Sequence, residues 1–148
     1  MKHIDIFTDG SCLSNPGYGG WCAILKYKDK EKVLCGSEKM TTNNRMELQA
    51  LIEALKMLKE PCKIMLFSDS QYVVSGITEW LNGWIKRGFI EVKNPDLWRQ
   101  YIALIKPHDI NAHWVKGHNN HEENERCDKI AKDSAIKLKE TYEPGLFK

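Results

Sequence analysis

Two stretches of the chain end almost alike: Phe7–Ser11 reads FTDGS and Phe67–Gln71 reads FSDSQ. Each follows a short apolar run, IDI in one case and KIML in the other, so each looks like a strand that delivers an aspartate at its end. Taken singly, Asp9 and Asp69 also suit a turn or a helix cap. Two further acids sit where plain solubility does not need them. Glu47 lies four, seven and eleven residues before Leu51, Ala54 and Leu58, on the inward stripe of a helix, where an unpaired charge is costly. Asp128 borders the buried stripe of a last helix, in line with Ala131 and Ala135; by itself it is a first-turn acid favoured by the helix dipole.

Together the four make a constellation. In open α/β sheets the working crevice lies beyond the carboxyl ends of the strands. Four carboxylates converging there would repel one another unless hard cations sit between them. Oxygen-only ligands suit Mg²⁺ or Mn²⁺. Two such ions about 4 Å apart can activate a water and stabilise the leaving oxygen of a phosphodiester. A rival metal is zinc, because HWVKGHNNHEENERC holds His113, His118, His121 and Cys127. Their spacings match none of the usual zinc pairs, His113 falls on a strand and Cys127 points to the core. His118, just past VKG, is better placed as a loop imidazole that shuttles protons, since its unperturbed pKa is near neutral.

The elements that must position these groups can be read from the same sequence. HIDIF, GGWCAILKYK and KVLCGSEKM read as three strands, with SCLSNPGYG and DKEK as connectors, an antiparallel meander. The period then changes. NNRMELQALIEALKMLK places Leu48, Leu51, Leu55 and Leu58 three and four apart, an amphipathic helix closed by Pro61. KIMLF is apolar on both alternating faces, which predicts a central strand covered on both sides. SQYVVSGI and TEWLNGWIKRG read as two short helices, and PDLWRQYIALIK as another opened by Pro95. INAHWV is the last strand, and a helix at about 122–139 follows. Strands first, then alternating helices and strands, predict an α/β architecture with a mixed sheet.

Composition narrows the class. At 148 residues the chain is one domain on ordinary size grounds, 1–148, with a core large enough to need no staples. No apolar run approaches the roughly 20 residues of a membrane span, and MKHIDIFTDG carries Asp5 where a signal peptide is apolar. Five scattered cysteines with no Cys-x-x-Cys pair argue against a disulfide framework. The expectation is a cytoplasmic monomer. Net charge is only +2, so a polyanion surface must be local. WIKRGFIEVKN supplies one candidate, with Lys86, Arg87 and Lys93 beside Trp84 and Phe89.

The motifs FTDGSCLSNPGYGGW, TTNNRMELQALIEAL, FSDSQYV and WVKGHNNHEENERCDKIA resemble, in order from about His3 to Lys139, bacterial ribonuclease H of type 1. The resemblance implies the ribonuclease H-like fold, a five-stranded sheet of three antiparallel strands and then two parallel ones, flanked by helices. It implies an endonuclease that hydrolyses the RNA strand of an RNA–DNA hybrid with two Mg²⁺ ions, leaving a 3′-hydroxyl and a 5′-phosphate. The family's catalytic carboxylates fall on Asp9, Glu47, Asp69 and Asp128, and its loop histidine on His118. Cys12, Asn15, Asn43, Asn44 and Gln71 match positions that line the hybrid's minor groove, where the 2′-hydroxyl marks the RNA. Thr42 resembles a hydroxyl that holds a phosphate of the DNA strand. Lys86 and Arg87 fall in the family's basic handle, here at about 79–94, and residues at about 140–148 form a tail.

Three departures stand out. The loop KRGFIEVKNPDLW is shorter and less basic than in the best-known bacterial members, Gly83 stands where they carry Asn, and GHNNH replaces GHxGH with Asn120. Two other functions compete: a hybrid-binding module without catalysis, and a DNA endonuclease on the same fold. Four acids add nothing to a phosphate-binding surface, and the Asn and Gln set would find no 2′-hydroxyl on DNA. If His118 acts as the proton shuttle, His118→Ala should slow turnover by a factor of about 10 to 1,000. An unchanged single-turnover rate would remove it from the mechanism.

Overall fold

The computed structural model describes residues 1–116 and 122–144. Three strands come first: β1 (Lys2–Cys12), β2 (Gly17–Tyr27) and β3 (Lys30–Thr41). They pair antiparallel, β1 with β2 and β2 with β3. After α1 (Asn43–Lys56), β4 (Cys62–Ser68) and later β5 (Asp109–Trp114) add in parallel, giving the sheet order β3-β2-β1-β4-β5. This is the expected mixed five-stranded sheet. Both hairpin connectors are shorter than the sequence implies. The β2–β3 turn is Lys28 and Asp29 only, with Lys28 at φ 55°. Lys30–Lys32, read as connector, instead pair in β3, an edge strand whose outward charges discourage pairing with another chain.

Between β4 and β5 run α2 (Gln71–Ser75), a π-helical turn (Gly76–Trp80), α3 (Leu81–Lys86) and α4 (Pro95–Ile105). The two short helices expected here are therefore one continuous rod with a single wide turn, because the cap residue Gly76 keeps right-handed helical angles and the chain never leaves the helix. Pro95 opens α4 as predicted. The last helix, α5, runs Glu122–Tyr142, past the end expected from its stripe.

Two unequal layers cover the sheet. On one face Ile4, Ile6, Ile64 and Leu66 meet Leu48, Leu51, Ile52 and Leu55 of α1 and Trp98 and Tyr101 of α4, all in one buried cluster. On the other face α5 seals Phe7, Cys22 and Ile24 with Cys127 and Ala131. That second cover lies over β1–β3. Lys63, Met65 and Phe67 of β4 therefore stay half-buried on that side, where the apolar run had predicted cover on both faces.

The fit of α5 on β2 depends on Gly20. A Cβ there would run into the Ala131 carbonyl and the Ala135 amide, so the helix backbone rests directly on the strand. Gly20→Ala should push the two apart and destabilise by about 1–3 kcal/mol in urea unfolding. An unchanged midpoint would show that α5 is free to shift.

Candidate active site

The repeated Phe–hydroxyl–Asp stretches lie side by side. β1 and β4 pair in parallel with Phe7 opposite Phe67 and Thr8 opposite Ser68, and the two phenyl rings stack at 5.1 Å. Asp9 and Asp69 are the next residues of each stretch, so both leave the same end of the sheet as neighbours. Glu47 arrives from the first turns of α1. It can come so close because Gly10 has no side chain: a Cβ there would collide with the Met46 carbonyl carbon and the Glu47 amide. One oxygen from each of Asp9, Glu47 and Asp69 lies within 4.8 Å of the other two.

The electrostatics follow from burial. Asp9 and Glu47 are 2% and 8% exposed. Burial, then the Asp69 and Asp128 charges, push the Asp9 carboxyl from its usual 3.8 up to about 7, against a lowering hydrogen bond to Glu47 and one from the Gly10 amide. Glu47 rises well above its usual value, through burial first and then the charges of Asp9 and Asp69. The Gly10 N–H donates to Asp9 Oδ1 at 2.8 Å, while Glu47 Oε2 is buried without a hydrogen-bond partner. Crowded carboxylates, raised proton affinities and an orphaned buried oxygen fit a hard divalent cation.

Asp128 stands back from this trio. It is half-buried on α5, with its Oδ2 3.0 Å from the Lys132 ammonium, and its charge still reaches Asp9. The backbone of Asp69 is held by β5: the Trp114 indole N–H donates to its carbonyl at 3.0 Å, and the Val115 N–H to that of Ser68 at 2.8 Å. His118 and Asn120 lie outside the described residues. Cys127 is buried and its thiol meets the Phe7 carbonyl, as the stripe predicts.

The neutral residues gather beside the acids. The Cys12 N–H donates to Asn43 Oδ1 at 2.8 Å, and the Asn43 N–H to Asn15 Oδ1 at 3.2 Å. Thr42 caps α1, its hydroxyl accepting from the Arg45 N–H at 3.3 Å. Gln71 is exposed at the first turn of α2. A cavity of about 500 Å³ is lined by Asn15, Thr42, Asn43, Asn44, Lys93 and Asn94. Lys86 and Arg87 do not line it; they are exposed at the end of α3. Trp84 is wedged between Trp80 and Trp98, at 5.9 and 5.2 Å, and Trp80 is 43% exposed. Sequence reasoning missed Asn94. It stands just before Pro95 with a left-handed φ of 57°, and its side chain caps nothing.

The family model described as RNase H matches residues 1–136. A ribonuclease H of Campylobacter jejuni (strain 81-176) is 60% identical over 138 residues, 93% of this chain and 94% of that protein. A ribonuclease HI of Helicobacter pylori (strain ATCC 700392 / 26695) is 59% identical over 141 residues, 95% and 99% of the two chains. Among solved structures, LC9-RNase H1 superposes with a TM-score of 0.83 at 28% identity, covering 93% of this chain and 74% of that one. LC11-RNase H1, solved in complex with an RNA/DNA hybrid, shares the fold with a TM-score of 0.64 at 21% identity, covering 91% and 98%.

The buried acids set a pH dependence of unusual sign. Between 3.8 and about 7 the folded chain keeps on Asp9 a proton that the unfolded chain has released. Stability therefore falls as pH rises through this window. With metal chelated by EDTA, urea unfolding should show a loss on the order of a few kcal/mol across it. Asp9→Asn should remove the Asp9 share of that slope, leave the share that buried Glu47 contributes, and stabilise the metal-free protein above pH 7. The same slope in the variant would mean that Asp9 does not carry the proton.

Proposed function

The chain belongs to the RNase H family, and from that premise we propose that it hydrolyses the RNA strand of RNA–DNA hybrids at Asp9, Glu47, Asp69 and Asp128 with two Mg²⁺ ions, leaving 3′-hydroxyl and 5′-phosphate ends. The class of enzyme, a ribonuclease H, follows from the family. The reading of the site rests most on one observation, the convergence of Asp9, Glu47 and Asp69 oxygens within 4.8 Å. Mg²⁺, or Mn²⁺ in its place, supplies a water that is nucleophilic at neutral pH and neutralises charge on the leaving oxygen.

The chain's own groups do the rest. Asp9, Glu47 and Asp69 form the ligand cluster, and Asp128 completes it from α5 once released from Lys132. His118 carries a proton to or from the site. Cys12, Asn15, Asn43, Asn44 and Gln71 engage the minor groove, where short groups that donate and accept can recognise a 2′-hydroxyl. Thr42 faces a phosphate of the DNA strand across the cavity, and Lys86 and Arg87 grip the backbone from the handle. One chain supplies all four carboxylates, which supports action as a monomer. Five free cysteines fit a reducing compartment such as the cytoplasm, where RNA primers of DNA replication would be among the substrates.

One labelled sequence, presented as hybrid, RNA duplex, DNA duplex and single-stranded RNA, tests this. Only the RNA strand of the hybrid should be cut, with Mg²⁺ and not with EDTA. Asp9→Asn and Asp69→Asn should each abolish cleavage while circular dichroism stays native. Cutting by either variant would sink the metal-site assignment. Hybrid binding without any cutting by the unmodified protein would favour a binding module instead.

A further inference from the structure

The sheet face beneath α5 brings together three of the five cysteines. Cys22 of β2 stands directly opposite Cys35 of β3, and on its other side directly opposite Asp9 of β1. Directly opposite residues of an antiparallel pair share a face, so Cys35, Cys22 and Asp9 form one row across three strands. The register here is pinned from the other side of the sheet. The Trp21 indole lies against Gly36, where a Cβ would come within 2.6 Å of the ring. Cys127 of α5 closes over the row, buried in the same cluster as Cys22. A hydrogen bond with the Cys22 thiol, and then burial, push the Cys127 thiol well above its ordinary value, so the two thiols touch and Cys127 stays protonated.

The two strand cysteines differ in access. Cys22 is fully buried, while Cys35 is exposed. Cys35 lines an open groove of about 370 Å³ together with Ser37 of β3 and Ser134, Lys137 and Thr141 of α5. A small oxidant can reach Cys35 there and cannot reach its neighbour. Opposite residues of an antiparallel pair have Cα atoms about 4.5 to 5.5 Å apart, within the range of about 4.4 to 6.8 Å that a disulfide spans. Their Cβ atoms start about 4.5 to 5.5 Å apart and must close to about 3.8 Å, which strains two strands that are already paired. A strained disulfide is readily reduced, the property that a transient modification needs in a reducing compartment.

We propose that Cys35 and Cys22 form a reversible oxidation site that slows the carboxylate cluster: a hydroperoxide oxidises Cys35, and Cys22 closes the product to a disulfide across β2 and β3. In the first step the Cys35 sulfur takes an oxygen from the hydroperoxide. The O–O bond breaks, the thiol proton goes to the departing oxygen as an alcohol (water from hydrogen peroxide), and Cys35 becomes a sulfenic acid. In the second step the Cys22 sulfur attacks the Cys35 sulfur. The S–O bond breaks, and the hydroxide leaves with the Cys22 proton as water. Cys22 turns towards β3 to do this and gives up its contact with Cys127. Asp9 is its neighbour in the row and Asp128 follows Cys127, so the strain falls on the strand and the helix that carry two of the four acids. Only this effect on cleavage rests on the nuclease reading above.

The test treats the folded, reduced protein with hydrogen peroxide, alkylates the remaining thiols and maps the peptides by mass spectrometry. Hybrid cleavage with Mg²⁺ is measured on the same samples before and after dithiothreitol. The intact mass should fall by two hydrogens, with the peptides of Cys22 and Cys35 joined. Cleavage should slow about tenfold, within what a small displacement of reacting groups costs, and return with dithiothreitol. Cys22→Ala should stop at the sulfenic acid on Cys35, which dimedone captures. Cys35→Ser should form no link and keep its untreated rate in peroxide. No link, a link to Cys12, Cys62 or Cys127 instead, or a link formed only after unfolding in urea would overturn the proposal. So would an oxidised protein that cleaves at the reduced rate, or a Cys35→Ser protein that slows as much as the unmodified one. If Cys22→Ala fails to fold, the peptide map and Cys35→Ser decide between these outcomes. A protein that joins Cys22 to Cys35 yet never cuts hybrid, even when reduced, would fail the catalytic reading and leave the oxidation site standing.

Discussion

The site hangs on one register. With Thr8 opposite Ser68 in a parallel pair, the residues that follow both stretches have no choice but to be neighbours, and both are aspartates. A one-residue slip would turn one side chain to the opposite face of the sheet. It would also break the stack of Phe7 on Phe67 and move Ile64 or Leu66 out of the α1 layer. The hydrophobic core therefore enforces the convergence of charge. Packing that favours folding and crowding that opposes it are the same geometric fact.

Much of the surrounding structure answers that crowding. Gly10 lets the backbone of α1 come near enough to bring Glu47 over the strand end. The Gly10 amide relieves part of the repulsion, and the raised proton affinities of Asp9 and Glu47 reflect the rest. Trp114 and Val115 hold the chain around Asp69 from the neighbouring strand. Asp128 pairs with Lys132 on its own helix. The arrangement has the character of a site built for a partner charge: stable enough to keep its shape, and held at a cost that a divalent cation would repay.

The neutral side of the site follows a different logic. Its groups are neutral and short, and they are tied to one another across loops, Cys12 to Asn43 and Asn43 to Asn15. Arg45 extends the tie to the segment before α4, and Tyr72 anchors that segment to the buried Trp98. The acids and the neutral pocket thus share α1: Glu47 points one way, and Thr42, Asn43 and Asn44 point another. A shift of that helix would disturb the carboxylate cluster and the neutral pocket together.

The chemistry was largely legible in the amino acids, because residue type and spacing are local properties. The repeat of Phe, hydroxyl and Asp, the glutamate on an apolar stripe and the change of period from strand to helix can each be read within one segment. They sufficed to select Asp9, Glu47, Asp69 and Asp128 and to order the elements of a mixed sheet. The misses were non-local. The half-buried face of β4 depends on where α5 crosses, and the continuous rod from Gln71 to Lys86 on how Gly76 keeps helical angles within a packed layer. Where Asp128 stands relative to the trio depends on how α5 lies over β1–β3. Asn94 carried no signal of its own in the sequence, and only its bond to Arg45, 49 residues away, shows where its side chain is turned. By itself the sequence determined which groups are present and on which face of which element. Only the tertiary structure decided which of them touch, because contact between distant segments is settled by how whole layers pack.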